Sequence, residues 1–379
     1  MARYRLIDGL RGVAAALVLL SHVGFWTGAD NLDLSGGLLA RGDSGVAVFF
    51  AISAFLLLRP WLAQDVPPPR IGAYAARRAA RILPAYLIAL AAVLLVAGTW
   101  GAVGGGGLGG AGKVVAHLLL VQGYADTSYQ SFSQTWSLTT EVSFYVLVPV
   151  LGRALGRLLQ RSPRAVYGAL GATVAGGAVI QALTAVWTQH SPTTHAGVLG
   201  TSVLGHAAWF AVGAGLAVAV QAGHLDRLRG IGVGTWLGAA GVVYLIASSG
   251  VAGPRDLHTP TVGAAVAKEL LYTLLAGLLL LAAVRGPSDE RWSAVAACPA
   301  TRFAGDISYG VFLWHVLVLQ VIYLASGWRL FTGPFSAVLF AVLVFSCLIA
   351  WASAALVEEP VLRRVHRRTR TPRVPVRTA

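Results

Sequence analysis

Arg11 and His22 are the first residues of the chain that can do chemistry in a place where charge is expensive. Both lie in the apolar run Asp8–Phe25, DGLRGVAAALVLLSHVGF, one near its start and one near its end. Eleven positions along an α-helix amount to about 1100° of rotation, or three turns plus roughly 20°, and a rise of roughly 16 Å. The guanidinium and the imidazole therefore share one face, about half a bilayer apart. Ionisable groups inside a spanning helix usually face the bundle interior and take part in function. A second reading makes Arg11 a snorkelling anchor at the inner interface and His22 an interfacial residue below the outer headgroups.

Three further stretches carry candidate groups. In Gln134–Pro149, QTWSLTTEVSFYVLVP, Glu141 lies about one turn into a helix, near the depth expected for His22. A carboxylate there needs a partner or a water-filled cavity. The imidazole is the natural partner, so that Glu141 would orient His22 and stabilise its protonated form. Trp136 in the same stretch is accounted for as an aromatic-belt residue. In YAARRAARILPAY, Arg77, Arg78 and Arg81 stand at the mouth of a helix, and Arg77 and Arg81, four apart, are neighbours on one face. Guanidinium forks match phosphate oxygens bidentately, which makes them a candidate phosphate clamp; anchoring at the inner face explains the same residues.

In FAGDISYGVFLWHVLVL, Ser308 and His315 are seven apart on one face, with His315 near mid-membrane. It can be a proton relay, a substrate contact or a buried, hydrogen-bonded histidine. Asp306 is expected to cap that helix. Glu358 and Glu359, at the end of the last helix, are expected to pair with arginines at the inner face. The remaining histidines have no metal-ligand spacing, and neither HExxH nor a P-loop occurs, so no metal is expected.

The elements that position these groups are membrane helices. Hydrophobic residues make up 56% of the 379, against about 45–50% in soluble domains, and the mean hydropathy is +0.69. The net charge of +14 would point to nucleic acid in a soluble protein. Here it asks which side of a bilayer the positive charges occupy, and no nucleic-acid partner is expected. Two cysteines, Cys298 and Cys347, are too few and too far apart for a disulfide framework or a thiolate metal site. The first apolar run lacks a signal-peptide cleavage pattern and is read as a retained span.

Runs long enough to cross about 30 Å of hydrocarbon occur at roughly 9–27, 44–60, 82–100, 136–152, 165–187, 200–221, 231–250, 262–284, 304–326 and 334–356. The fold expected is all-α and polytopic, with about ten transmembrane helices. With the N-terminus inside, 23 of the 29 basic residues fall on the inner segments and 5 on the outer ones, Arg11 being set apart within the first span. That asymmetry fits N-in and C-in topology and an even number of spans. One membrane domain, 1–360, is expected, followed by a basic cytoplasmic tail, 361–379, disordered and held near anionic lipid. The Gly-rich segment Gly101–Gly112 is expected to be flexible.

Taken together these stretches resemble the acyltransferase 3 family of bacterial integral-membrane O-acyltransferases. The resemblance rests on five ordered places: DGLRGVAAALVLLSH with its R-x10-H spacing, GVAVFFAISAFLL, RRAARILPAY, WSLTTEVSFY, and GDISYGVFLWH followed by EEP. It runs from Asp8 to Pro360. It implies a multi-pass protein of the bacterial cytoplasmic membrane that moves an acyl group, most often acetyl, from cytoplasmic acyl-CoA to a hydroxyl. The acceptor would be a glycan, a lipid-linked sugar or a small molecule such as a glycosylated natural product. Carried over residue by residue, the catalytic groups would be His22, Arg11 and Glu141, with His22 acting as a general base or as a covalent acyl carrier. Arg77, Arg78 and Arg81 would hold acyl-CoA, and His315, Ser308, Tyr309 and Trp136 would contact the acceptor. Two positions depart from the family pattern: Ala47 stands where an acid is usual, and Ala54 replaces a glycine. A proton-coupled transporter using the same Arg, His and Glu groups is the alternative, distinguished by transport without consumption of acyl-CoA. A non-catalytic envelope scaffold is a third reading, and it gives no reason for three ionisable groups at membrane depth.

Overall fold

A computed structural model describes residues 4–31, 33–63, 66–100, 107–191, 194–256, 258–286 and 290–369. It is helical throughout, with no strand among the described residues. In chain order the helices are α1 (Arg5–Thr27), α2 (Asp33–Ala40), α3 (Gly45–Leu62), α4 (Ile71–Thr99), α5 (Ala111–Leu118), α6 (Trp136–Arg161), α7 (Pro163–His190) and α8 (Thr194–Thr201). They continue with α9 (Ala207–Gln221), α10 (Val233–Ser248), α11 (Val262–Arg285), α12 (Glu290–Ala297), α13 (Pro299–Ser326), α14 (Phe335–Ser353) and α15 (Glu359–Thr369). Eight helical segments are long and apolar enough to cross a membrane, those built on α1, α3, α4, α6, α7, α11, α13 and α14.

The apolar helices α9 and α10 are shorter. At 15 and 16 residues they rise about 22 and 24 Å, less than a bilayer's hydrocarbon. Of the roughly ten spans expected, eight are therefore full-length among the described residues, and α9 and α10 fall short. The run 200–221 loses its first turns because Ser202 Oγ accepts hydrogen bonds from the backbone of Leu204 and Gly205 and breaks the helix ahead of His206.

Burial separates central helices from peripheral ones. Within the most apolar windows, 72% of the residues are buried inside protein for the segments containing α3 and α13, against 17% for α7. A bilayer offers little hydrophobic drive for helix association, so close approach depends on small residues. A Cβ at Gly305 of α13 would lie 2.6 Å from the Asp8 carbonyl oxygen of α1, and one at Gly213 of α9 only 2.1 Å from the Ala51 carbonyl of α3. Only glycine permits either crossing, and these crossings set α1, α3, α9 and α13 around the site.

The two ends of the bundle differ. At one end the Arg59 guanidinium lies 4.9 Å from the centre of the Tyr4 ring, Leu6 packs on Gly286, and Arg81 meets Glu358. The start of α1, the ends of α3 and α11, the start of α4 and the end of the α14 segment thus gather at what is here called the basic end. At the opposite end the Trp26 carbonyl accepts from Tyr323 OH at 2.8 Å and from the Phe331 backbone N–H at 2.7 Å.

Three expectations are corrected or bounded. Helix α13 begins at Pro299, so exposed Asp306 sits in its second turn instead of capping it. The segment read as a tail is helical as far as Thr369, because α15 continues through it, while residues 370–379 lie outside the described residues. Of the Gly-rich stretch, residues 101–106 also lie outside them.

Candidate active site

Two cavities enter the bundle from its opposite ends. The first, of about 460 Å³, is lined by the far ends of α1, α6, α7, α9 and α11 and contains His22, Trp136, His206, Lys268 and Glu269. The second is a tighter cleft of about 70 Å³ toward the basic end, lined by Arg11, Ser53, Arg78, Arg81, Glu141, Tyr145 and Tyr309 among others. Val46 of α3 and Phe312 of α13 belong to both linings. The cavities meet there, back to back.

Hydrogen bonding fixes the tautomer of His22. Its Nδ1 lies 2.9 Å from the Val18 carbonyl oxygen, and Nδ1 of buried His315 lies 3.0 Å from that of Val311. A carbonyl oxygen only accepts, so each Nδ1 carries the proton. His315 Nε2 then presents its lone pair to His22 Nδ1, 3.3 Å away, and the His22 N–H is shared between that nitrogen and Val18. The unprotonated His22 Nε2 has no hydrogen-bond partner among the described residues, and its ring faces the larger cavity. Helix α1 thus supplies an imidazole nitrogen without a hydrogen-bond partner among the described residues, and α13 supplies the group behind it.

The cleft at the basic end is cationic. The Glu141 carboxylate accepts hydrogen bonds from Ser53 Oγ and, at 2.7 Å, from Tyr145 OH. Arg78 lies 5.9 Å from the Tyr145 ring centre and Arg81 5.9 Å from that of Tyr309. Arg11 Nε is buried without a hydrogen-bond partner. From behind, Glu358 approaches Arg81 at 3.6 Å. A π-helical turn, Ala354–Glu358, interrupts the last span and buries that carboxylate; such turns recur at functional sites.

Several predicted roles change. Glu141 does not orient His22; it bonds Ser53 and Tyr145 in the other cavity, and His315 takes the place beside His22. The reason is depth. A 3-10 turn, Gln130–Thr135, precedes α6, so Glu141 lies roughly 20 Å along that entry by ordinary helical rises, while His22 is only five residues from the end of α1. One face of α1 does carry both Arg11 and His22, but into different cavities. The arginine pair at the cleft is Arg78 with Arg81; Arg77 is not in the lining. Of the expected acceptor contacts, Trp136 lines the His22 cavity, Tyr309 lines the cationic cleft and bonds the Ile82 carbonyl at 3.2 Å, and Ser308 is buried on its own helix against Gly305 O at 2.8 Å.

The sequence reading missed the rest of the larger cavity. Asp43 accepts from Lys268 Nζ at 2.7 Å and from Tyr272 OH. Its turn is held by buried Arg41, whose Nε donates to Ala247 O at 3.0 Å and whose Nη2 reaches the Gly253 carbonyl. His206 Nδ1 lies 3.0 Å from Glu269 Oε2, with the imidazole stacked 3.8 Å from Trp209. A signal was available, since His206, Lys268 and Glu269 all fall inside apolar runs, where ionisable residues mark function.

Comparison with known proteins decides between transferase and transporter. The acyltransferase domain model matches residues 4–355. The chain belongs to the acyltransferase 3 family. This acyltransferase is 29% identical over 378 residues to a protein of Komagataeibacter xylinus named as a membrane-bound transacylase, BcsY, with 94% of this chain and 82% of that protein covered. It is 27% identical over 330 residues to the exopolysaccharide production protein ExoZ of Rhizobium meliloti (strain 1021), covering 85% and 90%. It is 24% identical over 379 residues to nodulation protein 10 of Rhizobium leguminosarum bv. viciae, covering 94% and 92%. No solved structure matches the acyltransferase. The transporter and scaffold readings give way to a multi-pass membrane acyltransferase.

Proposed function

We propose that the protein is an O-acyltransferase of the bacterial plasma membrane that carries an acetyl group from cytoplasmic acetyl-CoA to a hydroxyl of a carbohydrate or glycosylated acceptor. The observation that carries this reading is the pair of cavities that meet at Val46 and Phe312, one lined by guanidinium groups and the other by an unpartnered imidazole nitrogen. Arg11, Arg78 and Arg81 suit a polyanionic donor, because guanidinium binds phosphate with paired, charge-assisted hydrogen bonds. The thioester then reaches past Phe312 toward His22.

An alcohol is a poor nucleophile at neutral pH. His22 Nε2 takes the hydroxyl proton as the oxygen attacks the thioester carbonyl; the new C–O bond forms, the C–S bond breaks, and the departing thiolate recovers the proton. The transient imidazolium is stabilised through Nδ1, whose N–H points at the Val18 carbonyl and the His315 lone pair. His315 acts as a positioning residue. Glu141 serves the donor side, where its charge offsets part of the guanidinium field. The name of the ExoZ relative, exopolysaccharide production protein, supports a glycan as the acceptor.

The test is acetyl transfer from radiolabelled acetyl-CoA by membranes carrying wild-type protein or His22→Ala. General-base catalysis contributes roughly 10²–10⁴-fold, and a loss of that size is expected with donor binding retained. Wild-type turnover in the variant would remove His22 from the reaction.

A further inference from the structure

We propose that His206, Glu269, Gln134 and Thr184 form a subsite for the ring hydroxyls of an uncharged sugar, with Trp136 as its stacking wall. The inference rests on reading the His22 cavity as the acceptor side and names the class of acceptor it takes. All five residues line that cavity. They come from three helices, α6, α7 and α11, and from the turns before α6 and α9, with His206 and Glu269 brought together across 63 positions of sequence.

The first argument is the direction of the hydrogen bonds on offer. Glu269 Oε2 is taken by His206, but its Oε1 is buried with no partner, as are Gln134 Oε1 and Thr184 Oγ1. The Gln134 amide nitrogen is already committed to the Phe312 and Leu313 carbonyls at 3.3 and 2.8 Å, which fixes its oxygen as the free end. A carboxylate only accepts, so His206 Nδ1 carries the proton, and its Nε2 has no partner among the described residues. The Glu269, Gln134 and Thr184 oxygens are all acceptors, and the Thr184 hydroxyl can also donate. Buried polar groups are normally paired, and a cluster left without partners in the lining of a cavity calls for a ligand. The ligand that matches several acceptors at once is a polyol.

The second argument is charge. Among the described residues of this lining, the Lys268 ammonium is held by Asp43 at 2.7 Å, and His206 is held by Glu269 at 3.0 Å. No unpaired cation is left to hold a carboxylate or phosphate, in contrast to the cleft at the basic end. A uronic acid or sugar phosphate would be desolvated without compensation.

The third argument is shape. Trp136 is partly buried and its ring centre lies 5.5 Å from that of His206, so an apolar sugar face can lie on the indole while the hydroxyl edge meets the polar wall. A cavity of about 460 Å³ falls in the usual range for small-ligand sites.

The experiment is a binding titration of purified full-length protein in lipid nanodiscs, read by tryptophan fluorescence and calorimetry, with cellotetraose as the neutral probe and tetragalacturonate as the anionic one. No donor is added, so the outcome is independent of whether His22 is the base. Wild type is expected to bind cellotetraose and to prefer it over tetragalacturonate. His206→Asn keeps a donor for Glu269 and deletes the Nε2 position; it and Glu269→Gln are expected to weaken cellotetraose by about tenfold or more. Correct folding of both variants is checked by an unchanged thermal midpoint. Equal cellotetraose binding in wild type and His206→Asn, or a wild-type preference for tetragalacturonate, overturns the subsite and leaves the acyl-transfer reading standing. Wild-type transfer by His22→Ala, with His206→Asn still weakening cellotetraose, removes the base and leaves the subsite standing, which separates the two proposals from the other side.

Discussion

The two cavities share four helices, α1, α3, α6 and α13, yet they treat charge in opposite ways. Toward the basic end three guanidinium groups face one carboxylate, Glu141, in a narrow cleft. In the roomier cavity at the other end Lys268 and His206 each have a carboxylate of their own. Under the proposed function the difference assigns each cavity one substrate: an excess of fixed cation suits a polyphosphate donor, and paired ionisable groups with unpartnered hydrogen-bond acceptors suit a neutral polyol. Phe312 and Val46, which line both cavities, stand between the two fields.

Removing a cation from the cleft should produce the largest effect after loss of His22 itself. Arg81→Ala removes charge-assisted hydrogen bonds to phosphate, each worth about 1.5–3 kcal/mol. A rise of about 10–100-fold in KM for acetyl-CoA is expected, with KM for the acceptor unchanged. Steady-state kinetics with each substrate varied in turn would check this, and an equal rise in both constants would break the assignment of separate cavities.

A smaller effect is expected behind the cleft. Glu358 is buried by the π-helical turn and sits 3.6 Å from Arg81. It lies outside the cleft lining, behind that guanidinium. Glu358→Gln should raise KM for acetyl-CoA roughly 3–10-fold, about the size of one net hydrogen bond, with kcat little changed. If Glu358 acts only through Arg81, the double variant should be no worse than Arg81→Ala alone. Additive losses would show a second route.

How much of this was legible in the sequence follows from which interactions are local. The helical spacing of Arg11 and His22 placed both on the inward face of α1, and the apolar runs marked ten helices. The pairing of Glu141 with His22 was not legible, because the 3-10 turn Gln130–Thr135 carries Glu141 deeper than a helix start at Trp136 implies. The i,i+4 rule picked Arg77 with Arg81, but the helix rotation that sets α4 against α13 turns Arg78 into the cleft. His206 with Glu269, and Asp43 with Lys268 and Tyr272, join positions far apart in the chain, and no local spacing can announce such a pair. The buried charge in an apolar run was visible, and only its partner was not.

The finest test of the comparison changes the charge of the roomier cavity without changing its shape. Asp43→Asn keeps an acceptor for the Tyr272 hydroxyl and leaves Lys268 without a counter-ion. Both members of that pair are about a third exposed, at 37% and 35%, so solvent screens the ammonium and the effect should be modest. The ratio of tetragalacturonate to cellotetraose affinity in nanodiscs is expected to rise about two- to fivefold, in the range of an exposed ion pair. Raising the ionic strength should shrink that gain, since the new attraction is screened. A gain that persists at high salt would have to come from altered packing around Tyr272, and a fall in the ratio would mean that balanced charge is not what selects the acceptor.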